Sequence, residues 1–560
     1  MPPAEDRPSH CAPYNYVMPC PHSHPISSSL PGRLKALDRA LRWNVRVTAF
    51  ILAVALANAI LYHRPLYRFA VANLDLSSMG GVVTAVTTFF LVTFFTALIL
   101  CVLSLVSQRL VKPFCVIGAF CNALALYFVE TYAVVLDKSM MGNVFNTNFA
   151  ESLSFFHPRL LMYFLLFGAL PAGLLSRVQI HRTPMRRRVM LLIMILVIGM
   201  GWIYAVSFTW LWFDENSRKL GGLTLPWSYI IGASRNYVDH FSASREQTLL
   251  PAATFSSNEK TIVVLVIGES ARAQNFSLYG YPRPTNPTLA KSDVVALAHT
   301  RACATYTTAS LACILSPMDE GWSLSSHEPL PSYLQRSGID VIWRTNNWGE
   351  PPLKVQTYER AEDIAGACQG NSCRYDEVLL QGLEQRIRSS TRQKIFVVLH
   401  QHGSHGPSYY TEYPPQFEVF KPVCKSVELH QCTHDELVNA YDNTIVYTDH
   451  VLYRTIGMLK SFPQTATMLM YISDHGESLG EYGLYLHGTP DSLAPDVQKD
   501  VPFVIWMSEA FKQKKGVQLS QLAEQPSHSH ANVFHSVMGA FDMRSEIYQR
   551  QLDIFSGNTQ

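Results

Sequence analysis

Charge is scarce in this chain. Only 16% of its 560 residues are Asp, Glu, Lys or Arg, against about a quarter in ordinary soluble domains, and so large a deficit does not suit a soluble enzyme alone. Charge of one sign does not prevail either. Lys and Arg number 45 against 43 Asp and Glu, so no global field points to nucleic acid. Gly and Pro, at 30 and 32 residues, are ordinary in number, which excludes fibrous and wholly disordered chains. The first 32 residues lack the short basic region and small-residue cleavage site of a removable signal peptide. Their Pro, Ser and His, with Cys11 and Cys20, read as part of a disordered tail over residues 1–40 rather than as a metal tract.

What is abundant is apolar surface, 48% of residues, and it is gathered ahead of residue 213 in blocks long enough for a hydrocarbon core of about 30 Å, or about 20 helical residues. Five spans are expected: Val47 to His63, Gly81 to Ser107, Phe114 to Leu136, Leu160 to Ser176 and Val189 to Phe213. Basic residues collect before the first span (Arg33, Lys35, Arg39, Arg42, Arg46), between the second and third (Arg109, Lys112) and between the fourth and fifth (Arg177, Arg182, Arg186, Arg187, Arg188). The alternate loops hold only Arg64, Arg68, Lys138 and Arg159. Basic loops stay on the cytoplasmic side, so the N-terminus is expected inside, the first span acts as an uncleaved anchor, and everything after Phe213 is delivered outside. Glu130, an acid within the third span, is a functional suspect unless it lies at the aqueous end.

The cysteines divide along the same line. Five lie in the tail or spans and six lie beyond residue 300. Six cysteines allow fifteen connectivities, and the close spacing of Cys303 with Cys313, Cys368 with Cys373 and Cys424 with Cys432 favours three local disulfides in an oxidising compartment. A zinc site made of cysteines wants two-residue spacings that are absent.

From about Asn258 the pattern changes to short β-branched runs: Thr261 to Ile267, Gly338 to Trp343, Ile395 to His400, Thr467 to Ile472 and Val501 to Trp506. Continuous apolar strands tens of residues apart indicate a mainly parallel sheet covered by helices on both faces. The expected organisation is a transmembrane domain over 41–213, a bridging segment over 214–258 with an interfacial helix near Trp227 to Phe241, and an α/β domain over 259–560. Chemistry in such sheets gathers at the carboxyl edge. Three strands end there in polar clusters: Gly268-Glu269-Ser270, His400 to Gly406, and Ser473-Asp474-His475-Gly476-Glu477-Ser478. A carboxylate after one strand and an Asp-His pair after another suit a shared cation of the zinc type. Between Cys303 and Cys313 the hydroxyls of Thr305, Thr307, Thr308 and Ser310 are all candidate nucleophiles, given a metal or base to activate one of them.

The segments Ile267-Gly-Glu-Ser-Ala-Arg, Cys303-Ala-Thr-Tyr-Thr-Thr-Ala-Ser-Leu-Ala-Cys313, His402-Gly-Ser-His-Gly-Pro407, Ser473-Asp-His-Gly-Glu-Ser-Leu-Gly-Glu481 and Tyr485-Leu-His-Gly488, taken in this order, resemble the phosphoethanolamine transferases of Gram-negative inner membranes, of the lipid A-modifying and mobile colistin-resistance type. The resemblance runs from about residue 40 to the C-terminus. It implies an alkaline phosphatase/sulfatase-like α/β domain behind five membrane helices, with the catalytic domain in the periplasm. It implies Glu269, Asp474 and His475 as zinc ligands and Thr307 as a nucleophile that is itself a ligand. It gives His405 and His487 the role of meeting the phosphoryl group or a second zinc. Asn143, Thr147 and Glu151, spaced four apart on one expected helix face, match positions that contact the donor head group.

The implied reaction is a two-step displacement: Thr307, its pKa depressed by zinc, attacks phosphatidylethanolamine and expels diacylglycerol, and lipid A or lipooligosaccharide then takes the phosphoethanolamine from the enzyme. The added ammonium lowers the negative charge of lipid A and weakens polycation binding, hence polymyxin resistance. A monomer carrying one or two zinc ions is expected. Two departures stand out. Ala304 and Ala312 replace the family's Gly and Pro beside the loop cysteines, and Trp348 to Lys354 replaces its Ser and Lys contacts, leaving open whether Lys354 substitutes. The rival readings are a phosphoglycerol transferase or phosphodiesterase on the same fold and a polytopic transporter or sensor. A sulfatase would need Cys-x-Pro-x-Arg, which neither Cys303 nor Cys313 begins.

Overall fold

The structure, a computed structural model, describes residues 43–147, 152–153, 155–243, 247–317, 327–366, 374–523 and 527–556. Cys11 and Cys20, Glu151, and the Cys368 and Cys373 pair lie outside the described residues.

The apolar blocks form helices α1 (Val47–Tyr62), α2 (Arg64–Ala72), α3 (Met79–Val106), α4 (Gln108–Tyr132), α6 (Pro158–Arg177) and α7 (Met185–Ala205), with a short α5 (Lys138–Asn146) between α4 and α6. Four of these helices are each long and apolar enough to cross a membrane, and α1 and α2, bent by 63° at His63, pass that test only together, counting as a fifth if the bent pair is one span. The expected boundaries shift by one or two residues at the second and fourth spans and by more at the third and fifth. The third span starts six residues early at Gln108, where the Ser107 hydroxyl caps the Arg109 amide, and stops at Tyr132 because Ala133 turns left-handed. The fifth ends at Ala205 instead of Phe213. A turn follows in which the Thr209 hydroxyl donates to the Val206 carbonyl at 2.8 Å, and Trp210–Glu215 is a separate helix.

Several polar groups within these helices pair with one another, which an apolar surround favours. Asn122 Nδ2 donates to Asn58 Oδ1 at 3.0 Å, Asn58 Nδ2 to the Leu225 carbonyl at 3.1 Å and the Tyr229 hydroxyl to Asn122 Oδ1 at 3.0 Å, which pins the start of α8 (Trp227–Ala243) to α1 and α4. Glu130 receives two 2.7 Å hydrogen bonds from Arg64 and one from Tyr163. It is a paired acid near the end of α4 that faces the catalytic domain.

The second half is built on seven strands: β1 (Thr261–Gly268), β2 (Val294–Ala296), β3 (Asp340–Thr345), β4 (Thr357–Arg360), β5 (Lys394–His400), β6 (Ala466–Ser473) and β7 (Phe503–Met507), in the spatial order β2-β7-β6-β1-β5-β3-β4. The five strands from β6 to β4 are parallel; β7 alone runs against them, pairing antiparallel with β6 on one side and with the edge strand β2 on the other. Every residue of β1 is buried. Ile262, Val264 and Val266 point into one core with the long helix α10 (His434–Lys460), and Val263, Leu265 and Ile267 into the other with α11 (Ala531–Ala540). That two-sided burial is why the strand reads as an unbroken apolar run. The first core continues into the membrane helices through Leu126, Tyr127 and Tyr132. At the seam the Tyr132 hydroxyl donates to the Val427 carbonyl at 3.1 Å, and Arg159 pairs with buried Glu428 at 3.2 Å.

Candidate active site

The registry of three neighbouring strands builds the site. Ser473 stands opposite Gly268, and His400 opposite Ile267, so β6, β1 and β5 end level and the residues that follow them converge. The fourth contributor is a helix, α9 (Thr307–Ile314), of which Thr307 is the first residue. The Cys303–Cys313 disulfide closes that loop, and a second disulfide joins Cys424 to Cys432. Ala304 and Ala312 therefore do not prevent the turn expected of the loop.

Thr307 Oγ1 lies 3.1 Å from Glu269 Oε2 and 3.3 Å from His475 Nε2. His475 Nε2 is 3.4 Å from Glu269 Oε1 and 3.3 Å from Asp474 Oδ2. The tautomer follows from the other ring nitrogen: Nδ1 faces the Gly476 carbonyl at 2.9 Å and must carry the proton, so Nε2 presents a lone pair to carboxylate oxygens. Burial, then the neighbouring His487, lowers the His475 pKa to about 3 and keeps the ring neutral. Burial, then the adjacent Glu269 carboxylate, pushes the Asp474 carboxyl well above its usual range, and its Oδ2 is buried without a hydrogen-bond donor. An imidazole lone pair, two carboxylates and a hydroxyl facing inward without enough protons to satisfy them are what a divalent cation compensates, and zinc accepts this N/O donor set. Glu269, His475 and His487 form a group able to hold a metal ion.

The polypeptide holds this cluster under strain. Ser270 is left-handed at φ 54°, a conformation that costs a non-glycine residue about 1 kcal/mol or more. It is fixed by its amide on Asp474 Oδ1 at 3.1 Å and by Tyr441, whose hydroxyl donates to its carbonyl at 2.7 Å. The Ser270 hydroxyl donates to Glu269 Oε1 at 2.8 Å, and Asn347 Nδ2 to Glu269 Oε2 at 2.9 Å. Gly403, also left-handed, lies so close to Glu269 that a Cβ there would sit 2.9 Å from its backbone nitrogen. Asn347, Ser270 and Gly403 lay inside or beside recognised motifs, yet composition alone assigned them no role.

His487 leans over the cluster, its ring centroid 4.1 Å from that of His475, and His405 stands 5.9 Å further on. Burial alone would lower the His487 pKa, but Glu477 Oε2, 2.8 Å from Nδ1, outweighs it and raises the imidazole above its ordinary value. Tyr409 in turn donates to Glu477. Glu477 was visible in the Asp-His-Gly-Glu motif, whereas Tyr409 carried no sequence signal.

From Thr307, His405 and His487 a cavity of about 500 Å³ runs along Asn143 and Thr147 to the face of α4, reaching Phe128 and Cys121. The expected helix face is corrected here. Helix α5 ends at Asn146, so Asn143 lies within it and Thr147 caps it, while Glu151 lies outside the described residues. Asn143 and Thr147 nevertheless line the cavity together. Helix α5 touches the catalytic loops directly: Gly488, left-handed at φ 81°, admits Asn143, whose Nδ2 would meet a Cβ at 2.9 Å. Lys354 is exposed and does not line the cavity, whereas Trp348 does.

A family model described as "Phosphoethanolamine transferase EptA/EptB" matches residues 94–241, and a Sulfatase model matches residues 261–543. The chain is 38% identical over 514 residues to phosphoethanolamine transferase EptA of Helicobacter pylori, covering 90% of this chain and 95% of that one. The chain belongs to the phosphoethanolamine transferase family. This transferase is also 30% identical to phosphatidylethanolamine transferase Mcr-1 of Escherichia coli, over 81% of this chain and 88% of that one. Its fold matches the integral membrane lipooligosaccharide phosphoethanolamine transferase A of Neisseria meningitidis with a TM-score of 0.85 at 26% identity, over 92% of this chain and 99% of that one. The transferase is an integral membrane enzyme with a sulfatase-like α/β domain, as the motif order implied.

Proposed function

We propose that this transferase moves phosphoethanolamine from phosphatidylethanolamine to lipid A or lipooligosaccharide through a covalent intermediate on Thr307. The observation that carries the reading is the cavity, which joins a buried hydroxyl in a cation-seeking cluster to the face of a membrane helix. Cys121 lies eleven residues before Tyr132, so the cavity follows α4 for about 16 Å at the helical rise, a depth suited to a lipid and needless for a soluble ester. The Mcr-1 relative is a phosphatidylethanolamine transferase and the Neisseria relative a lipooligosaccharide phosphoethanolamine transferase, which supports that donor and that acceptor here.

Glu269, Thr307, Asp474 and His475 hold zinc in this reading. Zinc bound there supplies a Lewis acid that favours the threonine alkoxide and offsets phosphoryl charge. The Thr307 proton faces Glu269 Oε2. Thr307 Oγ1 forms the bond to phosphorus as the bond to the diacylglycerol oxygen breaks, and that oxygen leaves with a proton. His487, its imidazolium favoured by Glu477, and His405 face the phosphoryl oxygens. An acceptor phosphate or hydroxyl then attacks the same phosphorus, and Thr307 regains its proton. Asn143 and Thr147 bind the donor head group, with Glu151 as the carboxylate for its ammonium. In this reading the enzyme is an inner-membrane monomer, and the basic loops favour a catalytic domain on the periplasmic side. Added ammonium groups on lipid A give polymyxin resistance.

Mass spectrometry of lipid A from cells with and without the protein tests this. Species gaining phosphoethanolamine are expected only in its presence. Unmodified lipid A with release of free phosphoethanolamine points instead to a phosphodiesterase, and glycerol phosphate on an envelope glycan to a phosphoglycerol transferase.

A further inference from the structure

Behind the ligand cluster, fully buried and outside the cavity lining, lies His530. Its Nε2 is 3.0 Å from the Ser473 carbonyl, and its Nδ1 accepts the Cys303 amide at 3.4 Å. A carbonyl on one side and an N–H on the other admit one state, the neutral ring with the proton on Nε2. Burial lowers the pKa to about 4 and keeps the ring neutral.

Both partners lie one step from the chemistry. Ser473 precedes Asp474 and His475, and its hydroxyl accepts the Ala271 amide at 2.9 Å and donates to the His475 carbonyl at 3.0 Å, tying the segment after β1 to the turn after β6. Cys303 opens the loop that presents Thr307. No direct hydrogen bond between Ser473 and that loop duplicates the imidazole bridge among the described residues. The chain around His530 reinforces the register, because His528 and Ser529 pair in parallel with Thr300 and Arg301, which lead into Cys303. His530 then opens helix α11 against the sheet.

We propose that His530 is a positioning residue that bridges the nucleophile loop to the metal-ligand turn and sets where Thr307 Oγ1 stands relative to Asp474 and His475. It touches neither substrate nor metal. Its contribution is geometric: misplacing a reacting atom by about 1 Å costs about 100-fold in rate. This inference rests on the reading of Thr307 as nucleophile.

The test compares full-length, zinc-loaded wild-type enzyme with His530→Phe, which keeps the ring volume and loses both hydrogen bonds, and His530→Asn, whose amide oxygen can still accept the Cys303 N–H. The readouts are the single-turnover rate of adduct formation at Thr307, the donor KM, the zinc content and the thermal midpoint. In His530→Phe the rate should fall about 10- to 100-fold while zinc content and donor KM stay near wild type, and His530→Asn should recover part of the loss. An unchanged rate in His530→Phe overturns the inference. So does a loss that both variants share equally and that tracks falling zinc content and melting temperature, because that describes a structural histidine. If the wild type forms no adduct at Thr307, the covalent step fails and takes this inference with it. An adduct in the wild type with an unchanged His530→Phe rate removes the bridge alone.

Discussion

Thr305 and Ser310 direct their hydroxyls to backbone carbonyls, of Thr489 at 2.6 Å and Ala304 at 3.2 Å, whereas Thr307 donates to Glu269 in the ligand cluster. Four hydroxyls were equal candidates on chemistry, and the hydrogen bond to Glu269 distinguishes Thr307 from Thr305 and Ser310. In a transfer assay Thr307→Ala should fall to background, because it removes both the attacking oxygen and a ligand. Thr305→Ala and Ser310→Ala should keep measurable activity and lose about 1 kcal/mol of stability each in denaturant unfolding, the worth of one hydrogen bond. Asp474→Ala should bind less zinc than wild type by elemental analysis, since its unpartnered Oδ2 faces the His475 lone pair. Wild-type metal content in that variant would remove Asp474 from the ligand set. The residues that sequence reading passed over, Asn347, Tyr409 and His530, act by holding others. Their contacts join positions far apart in the chain, such as His530 to Cys303 and Ser473, and no local pattern records that.

Among the elements, the central strands were legible because burial on both faces leaves a nearly continuous apolar run through the middle of β1, β5 and β6, and their ends carry the chemistry. The edge strands β2 and β4 were not, being three and four residues long and only partly buried. Helix α5 was half legible. The four-residue spacing suggested one face, but the helix stops at Asn146, and Thr147 reaches the cavity as its cap. Asn143→Ala should slow transfer from a lipid donor more than cleavage of a small soluble phosphodiester, because α5 lies in the membrane half. Equal losses on both substrates would mark Asn143 as a packing residue against Gly488. The loop closed by Cys424 and Cys432 carries Glu428, which meets Arg159 of the membrane half. Replacing both cysteines by Ser should lower stability by roughly 2 to 3 kcal/mol in the loop-entropy account, read by thermal or denaturant unfolding. Non-reducing peptide mapping should recover Cys303 with Cys313 and Cys424 with Cys432, and is expected to find Cys368 with Cys373 as well.

For the whole molecule, the low charge content follows from one arrangement: apolar helices long enough to cross a membrane, joined to a sulfatase-like domain whose buried cluster opens toward them. Neither half alone builds the cavity, because α4 and α5 form its floor and Thr307, His405 and His487 its roof. The most direct measurement is intact-protein mass spectrometry of the full-length enzyme during turnover with phosphatidylethanolamine. A covalent gain of roughly 123 Da, one phosphoethanolamine joined through the hydroxyl, should appear in wild type, map to Thr307 and be absent in Thr307→Ala. Rapid transfer by wild-type enzyme with no adduct, or an adduct on Thr308, would contradict the assignment.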